Sequence, residues 1–143
     1  MDKVILEFQD EYRFLSNFCP SPFYKDGYNF PTVEHFYQSM KTYELSEMHE
    51  MINAPSPSYV KRLGQNCSLR DDWGDIKDSI MEVGVYNKFE QNSDLRKMLL
   101  DTGNAYLIEG NRWGDEYWGY NLKTGYGLNK LGHILMYIRR KFR

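Results

Sequence analysis

Thr32-Val33-Glu34-His35-Phe36-Tyr37-Gln38-Ser39-Met40-Lys41 is the stretch from which the rest of this chain can be read outward. Pro31 closes the extended segment before it and Thr32 is a good N-cap, so the stretch reads as a short helix. At roughly 100° per residue, Val33, Phe36, Met40 and Tyr43 fall on one side, while Glu34, Gln38 and Lys41 form a stripe on the other. The apolar side is core-seeking. The stripe is expected to face away from the core, and on helical spacing alone it reads as a solvated helix face.

A second stretch weighs against that bland reading. Glu109-Gly110-Asn111-Arg112-Trp113-Gly114-Asp115-Glu116-Tyr117-Trp118-Gly119 sets three carboxylates and two tryptophans among three glycines. It is too glycine-rich for a helix and too charged for a core. A carboxylate beside flat aromatic surface suits a site that holds a base or sugar and moves a proton. The alternative is a surface turn held by local hydrogen bonds, in which two exposed tryptophans gain little.

Upstream of the helix, Val4-Ile5-Leu6-Glu7-Phe8 reads as a strand, and Phe23-Tyr24-Lys25 with Tyr28-Asn29-Phe30 flank Asp26-Gly27, a strong two-residue hairpin signal. Ser16-Asn17 lies in a loop, where an Asn more often bonds its own backbone than a ligand. Downstream, Ser46 is expected to cap a helix to Asn53, and Ala54-Pro55-Ser56-Pro57 breaks it. Ser56 and Pro57 fit the N-cap and N1 of a third helix that Gly64 ends. Asp71 or Asp72 starts a longer one with Ile76, Ile80, Val83 and Phe89 inward, Trp73 in its first turn and Gly84 weakening its middle. Ser93 caps a helix with Leu95, Met98 and Leu99 inside, stopped at Thr102-Gly103. Ala105 to Glu109 reads as a strand. The last helix begins near Asn129, with Leu131, Leu135, Ile138 and Phe142 inward and Gly132 allowing close backbone approach; its basic end suits the helix dipole.

At 143 residues the chain is expected to form one domain. Hydrophobic content of 41% with 16% aromatics suits aromatic-lined pockets. A net charge of −2 argues against holding nucleic acid by bulk electrostatics, so a nucleic-acid substrate would be recognised locally. Cys19 and Cys67 form no CxxC pair, and His35, His49 and His133 have no ligand spacing, so no disulfide framework and no metal are expected. Gly125-Tyr126-Gly127 lacks the third glycine of a dinucleotide fingerprint, although the amides of Gly127 to Asn129, at a helix start, form a generic anion site. The apolar run after Met1-Asp2-Lys3 is too short for a signal or a membrane span, so a cytoplasmic protein is expected.

Taken in order, Leu15-Ser16-Asn17-Phe18, Thr32-Val33-Glu34-His35 with Tyr37-Gln38 and Lys41, Trp73, Lys88-Phe89-Glu90-Gln91, Glu109, Asp115 with Trp118-Gly119, and Gly127-Leu128-Asn129-Lys130-Leu131-Gly132 with Leu135-Met136 and Arg139 resemble the NADAR (YbiA-like) family. The likeness runs from about residue 8 to residue 142; it departs at Arg13-Phe14, where relatives often carry glycine, and at Tyr120, where they vary. The resemblance implies an α+β, predominantly α-helical single domain over residues 1–143, with a small number of short strands. It also implies an N-glycosidase acting on ribosyl compounds without a cofactor. Glu34, Lys41 and Asp115 would be catalytic, and Asn17, Tyr37, Gln38, Trp73, Glu109, Trp118, Gly119 and Asn129 would bind substrate.

Cleaving a bond from ribose C1 to nitrogen builds positive charge on the sugar and needs a protonated leaving amine. Glu34, kept ionised near a helix start, suits the sugar cation or an activated water. Asp115 among tryptophans suits the acid, and the two roles are interchangeable on sequence grounds. Lys41 offers a second mechanism, a Schiff base at C1 of a ring-opened substrate, or simply a partner for phosphate or for Glu34. The family's two substrate classes share this bond: ribosylated aminopyrimidines early in riboflavin synthesis, and ADP-ribose on the amino group of guanine in DNA. For the second, functional pairing with an ADP-ribosyltransferase would be expected. A non-catalytic ADP-ribose or NAD binding module would need the Trp and Gly loop but not the carboxylates.

Overall fold

Thr32 caps its helix as expected: its Oγ1 accepts the His35 N–H at 3.1 Å, and α1 runs Val33–Ser39. In the computed structural model, which describes residues 3–143, this helix belongs to a compact unit of Asn17–Asn92. A second unit is formed by the chain up to Ser16 together with Ser93–Arg143. Met1 and Asp2, the start of the segment read as carrying no signal, lie outside the described residues.

In the first unit a hairpin of β1, Phe23–Lys25, and β2, Tyr28–Phe30, precedes α1, with Phe23 opposite Phe30. Asp26 and Gly27 take φ of 51° and 92°, the left-handed pair a tight two-residue turn demands. Phe23, Phe30 and Phe36 then cluster with ring centroids 5.0–5.6 Å apart. Three further helices follow: α2, Leu45–Ile52, α3, Pro57–Gln65, and α4, Trp73–Gln91. All three pack on α1.

Ser56 caps α3 through the Tyr59 N–H at 3.1 Å with Pro57 at the first turn, as the sequence predicts. Gly64, however, does not end α3, which continues to Gln65. Nor does Ser46 cap α2. The cap position is Glu44, two residues earlier, and its N–H donates to Thr42 Oγ1 at 3.1 Å.

Along α4 the fully buried residues are Met81, Gly84, Val85, Lys88 and Phe89 as well as Trp73, whereas Ile76, Ile80 and Val83 are half-buried. The helix therefore turns a different face inward than its branched residues suggest. Gly84 has a packing reason: a Cβ there would meet Phe36 Cδ2 at 2.9 Å.

In the second unit the strands are much shorter than the alternating runs imply. Of Val4 to Phe8 only β3, Val4–Ile5, is strand, and it pairs in parallel with β4, Tyr106–Leu107. The remaining pair, β5, Gly110–Asn111, and β6, Tyr120–Asn121, is also parallel. A short 3-10 helix occupies Asp10–Leu15.

Helix α5, Ser93–Asp101, buries Leu99 but leaves Met98 exposed, against expectation, and Gly103 at φ 61° follows its end. Helix α6, Lys130–Lys141, buries Leu131, Leu135 and Ile138, and Gly132 lies so close to β4 that a Cβ would overlap the Leu107 carbonyl oxygen. At its basic end Arg139 is buried rather than solvated; its guanidinium donates to Thr102 Oγ1 at 2.8 Å. Among the described residues no helix is long and apolar enough to cross a membrane.

Candidate active site

The polar stripe of α1 is not a solvated face. Glu34 and Gln38 are only 7% and 4% exposed, and every residue from Val33 to Ser39 is buried, because α2, α3 and α4 surround a helix of barely two turns. A buried carboxylate must be met by donors. Gln38 Nε2 donates to Glu34 Oε2 at 2.7 Å, and the Glu34 N–H donates to the Asn17 carbonyl at 3.2 Å. Asn17 is thus fixed at the start of α1, with its Nδ2 3.3 Å from Met81 Sδ.

Lys41 does not lie on the helix. The helix ends at Ser39, and Lys41 sits in the turn beyond, where its carbonyl accepts the Arg70 N–H at 2.8 Å. Its Nζ lies 5.5 Å from the centre of the Tyr37 ring and 6.0 Å from that of Trp73, and the two rings are 5.1 Å apart. Loss of water pushes the Lys41 amine below its ordinary pKa, and the nearby charges of Glu34 and Cys67 oppose that shift in part. The structure therefore brings Glu34, Tyr37, Gln38, Lys41 and Trp73 into one unit, with an acceptor, a nitrogen of reduced basicity and two aromatic faces.

Two residues that the sequence reading left aside hold this arrangement. Arg70 Nε and Nη2 bind the Asp72 carboxylate at 2.6 and 3.0 Å while Nη1 reaches the Met40 carbonyl at 3.4 Å. It clamps the turn bearing Lys41 to the start of α4 bearing Trp73. An arginine two residues from an aspartate carries no signal of that role. His35 ties the start of α1 to the chain after α2: its Nε2 donates to the Ala54 carbonyl at 3.0 Å and its Nδ1 meets Thr32 Oγ1 at 2.8 Å. Burial lowers its pKa, so it is a neutral structural histidine.

The remaining candidates, Glu109, Asp115, Trp118, Gly119 and Asn129, lie in the other unit. Asp115 Oδ1 accepts the N–H groups of Tyr117 and Trp118, both at 3.0 Å. Asn111, not singled out from sequence, is buried and ties the same loop: its Oδ1 accepts from Gly114 and Asp115 and its Nδ2 donates to the Asp115 carbonyl at 2.9 Å. Gly119 leaves room for that amide, since a Cβ would stand 2.6 Å from Asn111 Nδ2.

Asn129, at φ 51°, spends both ends of its amide on the strand region: Nδ2 donates to the Leu107 carbonyl and Oδ1 accepts the Glu109 N–H, each at 2.9 Å. It sets the backbone of Glu109. The anion site expected at Gly127 to Asn129 is not open, because the Leu128 and Asn129 amides donate to the Glu116 and Gly119 carbonyls at 2.8 and 3.0 Å. Trp113 is 63% exposed, and Trp118 is partly buried with its ring 4.8 Å from Tyr117. No cluster of three or more His, Cys, Asp or Glu side chains suited to a metal occurs among the described residues.

The NADAR domain model matches residues 6–143, and the chain belongs to that family. It is 36% identical over 146 residues to the N-glycosidase YbiA of Escherichia coli (strain K12), covering 99% of this chain and 90% of that protein. The NMR structure of E. coli YbiA superposes with a TM-score of 0.88 at 35% identity, over 99% of this chain and 86% of that one. A riboflavin biosynthesis protein of Vibrio vulnificus, VVA0006, is 34% identical over 134 residues, which cover 92% of this chain and 36% of that longer protein.

Proposed function

We propose that this chain hydrolyses the bond between ribose C1 and an exocyclic amino nitrogen of a guanine-like base. N-glycosidase activity is supported by family membership and by similarity to proteins named for it. The observation that carries the finer reading is the buried Glu34, held by Gln38, in the unit where Lys41 loses basicity over Tyr37 and Trp73. An exocyclic aryl amine leaves poorly as an anion, which favours a route that never makes that anion.

In that route the C1 to ring-oxygen bond of the ribosylamine breaks, the ring oxygen takes a proton, and a C1–nitrogen iminium forms. The neutral Lys41 amine adds to C1. Glu34 takes a proton from the new ammonium and returns it to the departing nitrogen, so that the base leaves as a neutral amine and a Lys41 imine remains. Water then adds to C1 and frees both sugar and lysine. Tyr37 and Trp73 supply flat surface for the base or the sugar face. Assigning Asp115 the acid of a direct, lysine-independent cleavage rests on the family pattern. Because its Oδ1 also builds its loop, a substitution there alters structure as well as chemistry.

Two substrate classes fit this bond: ADP-ribose on guanine in DNA, and the ribosylated aminopyrimidines that precede riboflavin. The first accords with a cytoplasmic enzyme acting after an ADP-ribosyltransferase, and the net charge of −2 accords with local rather than bulk contact to nucleic acid. Purified protein incubated separately with guanine-ADP-ribosylated DNA and with the riboflavin intermediate, with released sugar as readout, tests the reading. Release from either supports N-glycoside hydrolysis and names the substrate. Tight binding of ADP-ribose with no release from either makes the chain a binding module and refutes the proposal.

A further inference from the structure

We infer that Gly64 is a positioning residue for Glu34, acting through Gln38; the inference rests on the catalytic reading of Glu34. Gly64 lies in the last turn of α3, and an added Cβ there would stand 2.7 Å from Gln38 Cδ, closer still to Oε1, and 3.3 Å from Gln38 Cβ. The Gln38 amide therefore rests directly on the α3 backbone where a side chain would be. Its Oε1 is buried with no conventional hydrogen-bond partner, and the Gly64 Cα–H that replaces a side chain points toward it as a weak donor. The other end of the amide, Nε2, makes the 2.7 Å bond to Glu34 Oε2. One rigid plane thus connects the α3 backbone to the carboxylate.

Gly64 costs α3 helix propensity, which alanine would restore. Its φ is not in the left-handed region, so turn geometry does not require glycine. The space does. Gln38 cannot yield sideways without leaving Glu34, because the helix that carries it is buried on every face. Any side chain at position 64 must push the amide off α3 and either break its bond to Glu34 or carry the carboxylate with it. Misplacement of a reacting group by about an ångström costs on the order of a hundredfold in rate.

The test is a double-mutant cycle on sugar release from guanine-ADP-ribosylated DNA and, in parallel, from the ribosylated aminopyrimidine. Gly64→Ala is expected to lower kcat about ten- to hundredfold while KM changes less than about twofold. Gln38→Ala is expected to give a loss of similar size, and Gly64→Ala in the Gln38→Ala background to add less than about twofold. The double variant lacks the clashing amide, so it folds even where Gly64→Ala does not. Gly74→Ala, at a helical glycine with nothing within 4 Å of an added Cβ, controls for helix propensity and should leave kcat unchanged.

Independent, multiplying losses from Gly64→Ala and Gln38→Ala, or full activity of Gly64→Ala, overturn the connection. A Glu34→Gln variant run in parallel separates the two levels. If it is inactive while Gly64→Ala is fully active, the positioning inference fails and the catalytic reading survives. If Glu34→Gln is fully active, the reading itself fails.

Discussion

Lys88 is 1% exposed in the last turn of α4, and burial lowers its pKa from 10.5 to about 8, with the Cys19 sulfur pulling the other way. Consider Lys88→Met, which keeps an unbranched chain of similar length and removes the charge. In the unfolded chain Lys88 titrates near 10.5 and in the folded protein near 8. Between those values the unfolded state binds more protons, so stability rises with pH at this position. Below pH 8 the burden of the buried charge is fully present; above 10.5 it is gone. The difference of roughly 2.5 pKa units corresponds to about 3 kcal/mol. The wild type should therefore gain about 3 kcal/mol relative to Lys88→Met between pH 7 and pH 11, whichever of the two is the more stable at pH 7. Urea unfolding of both proteins at unit pH steps measures it, and other titrations cancel in the difference. A difference between the two proteins that stays within about 1 kcal/mol across the range would show that Lys88 is charged and well solvated or well paired, and the burial argument would be wrong.

Glu34→Gln should lower kcat by about a hundred- to ten-thousand-fold with substrate affinity largely kept, measured by steady-state kinetics beside calorimetric binding; at least half the wild-type rate would remove Glu34 from the mechanism. With Lys41 pushed below its ordinary pKa by desolvation, kcat should rise with pH through a midpoint below that of free lysine, and Lys41→Arg should abolish that limb. Borohydride added during turnover should leave a sugar adduct on Lys41 in peptide mass spectra; an unmodified protein together with a fully active Lys41→Arg leaves only the two-carboxylate route. His35 titrates lower folded than unfolded, so stability should fall as pH drops below about 6.5 toward its folded pKa. His35→Gln should flatten part of that loss in thermal melts at pH 5 to 7, and an unchanged pH dependence would contradict a buried neutral imidazole.

The hairpin at Asp26-Gly27, the Thr32 and Ser56 caps and the inward face of α6 are readable because each rests on local chemistry: a left-handed turn pair, a hydroxyl three residues before an amide, one stripe against one neighbour. What sequence does not carry is the number of neighbours. Periodicity separates the two sides of α1, yet both are buried, because α4 packs on the apolar side at Gly84 and α3 on the polar one at Gly64. The same blindness hides Lys88. It follows Gly84 by one helical turn and Val85 by three residues, on the inward face, but a lysine in such a pattern is read as a boundary of the core rather than part of it. The two-residue strands fail for the opposite reason. Val4 to Phe8 has strand chemistry, but the ladder with Tyr106–Leu107 takes in Val4 and Ile5, and at Leu6 it gives way to a single bond from the Gly110 N–H.

The candidate residues separate into two kinds once their polar atoms are followed. Asn129 spends both ends of its amide on Leu107 and Glu109, Asn111 spends its amide on the loop, and Gly119 is required by crowding around that amide. Replacing any of these disturbs backbone first. Lys41 is the contrary case: its backbone holds the turn through Arg70, while its amine is set over two aromatic rings and loses basicity there. A group whose amine is kept from water and near a carboxylate, at a cost to the fold, has a reason to be there that packing does not supply. Glu34 stands between the kinds, since its carboxylate is held by Gln38 and the Gln38 amide is held in turn by a glycine of α3. Rigidity at Glu34 and reduced basicity at Lys41 are the two properties an imine exchange needs, one to pass protons at a fixed point and the other to leave an amine able to attack. The first comes from the enclosure of a seven-residue helix by three others, the second from the turn after it, where Arg70 holds the Lys41 backbone and the amine lies beside Tyr37 and Trp73.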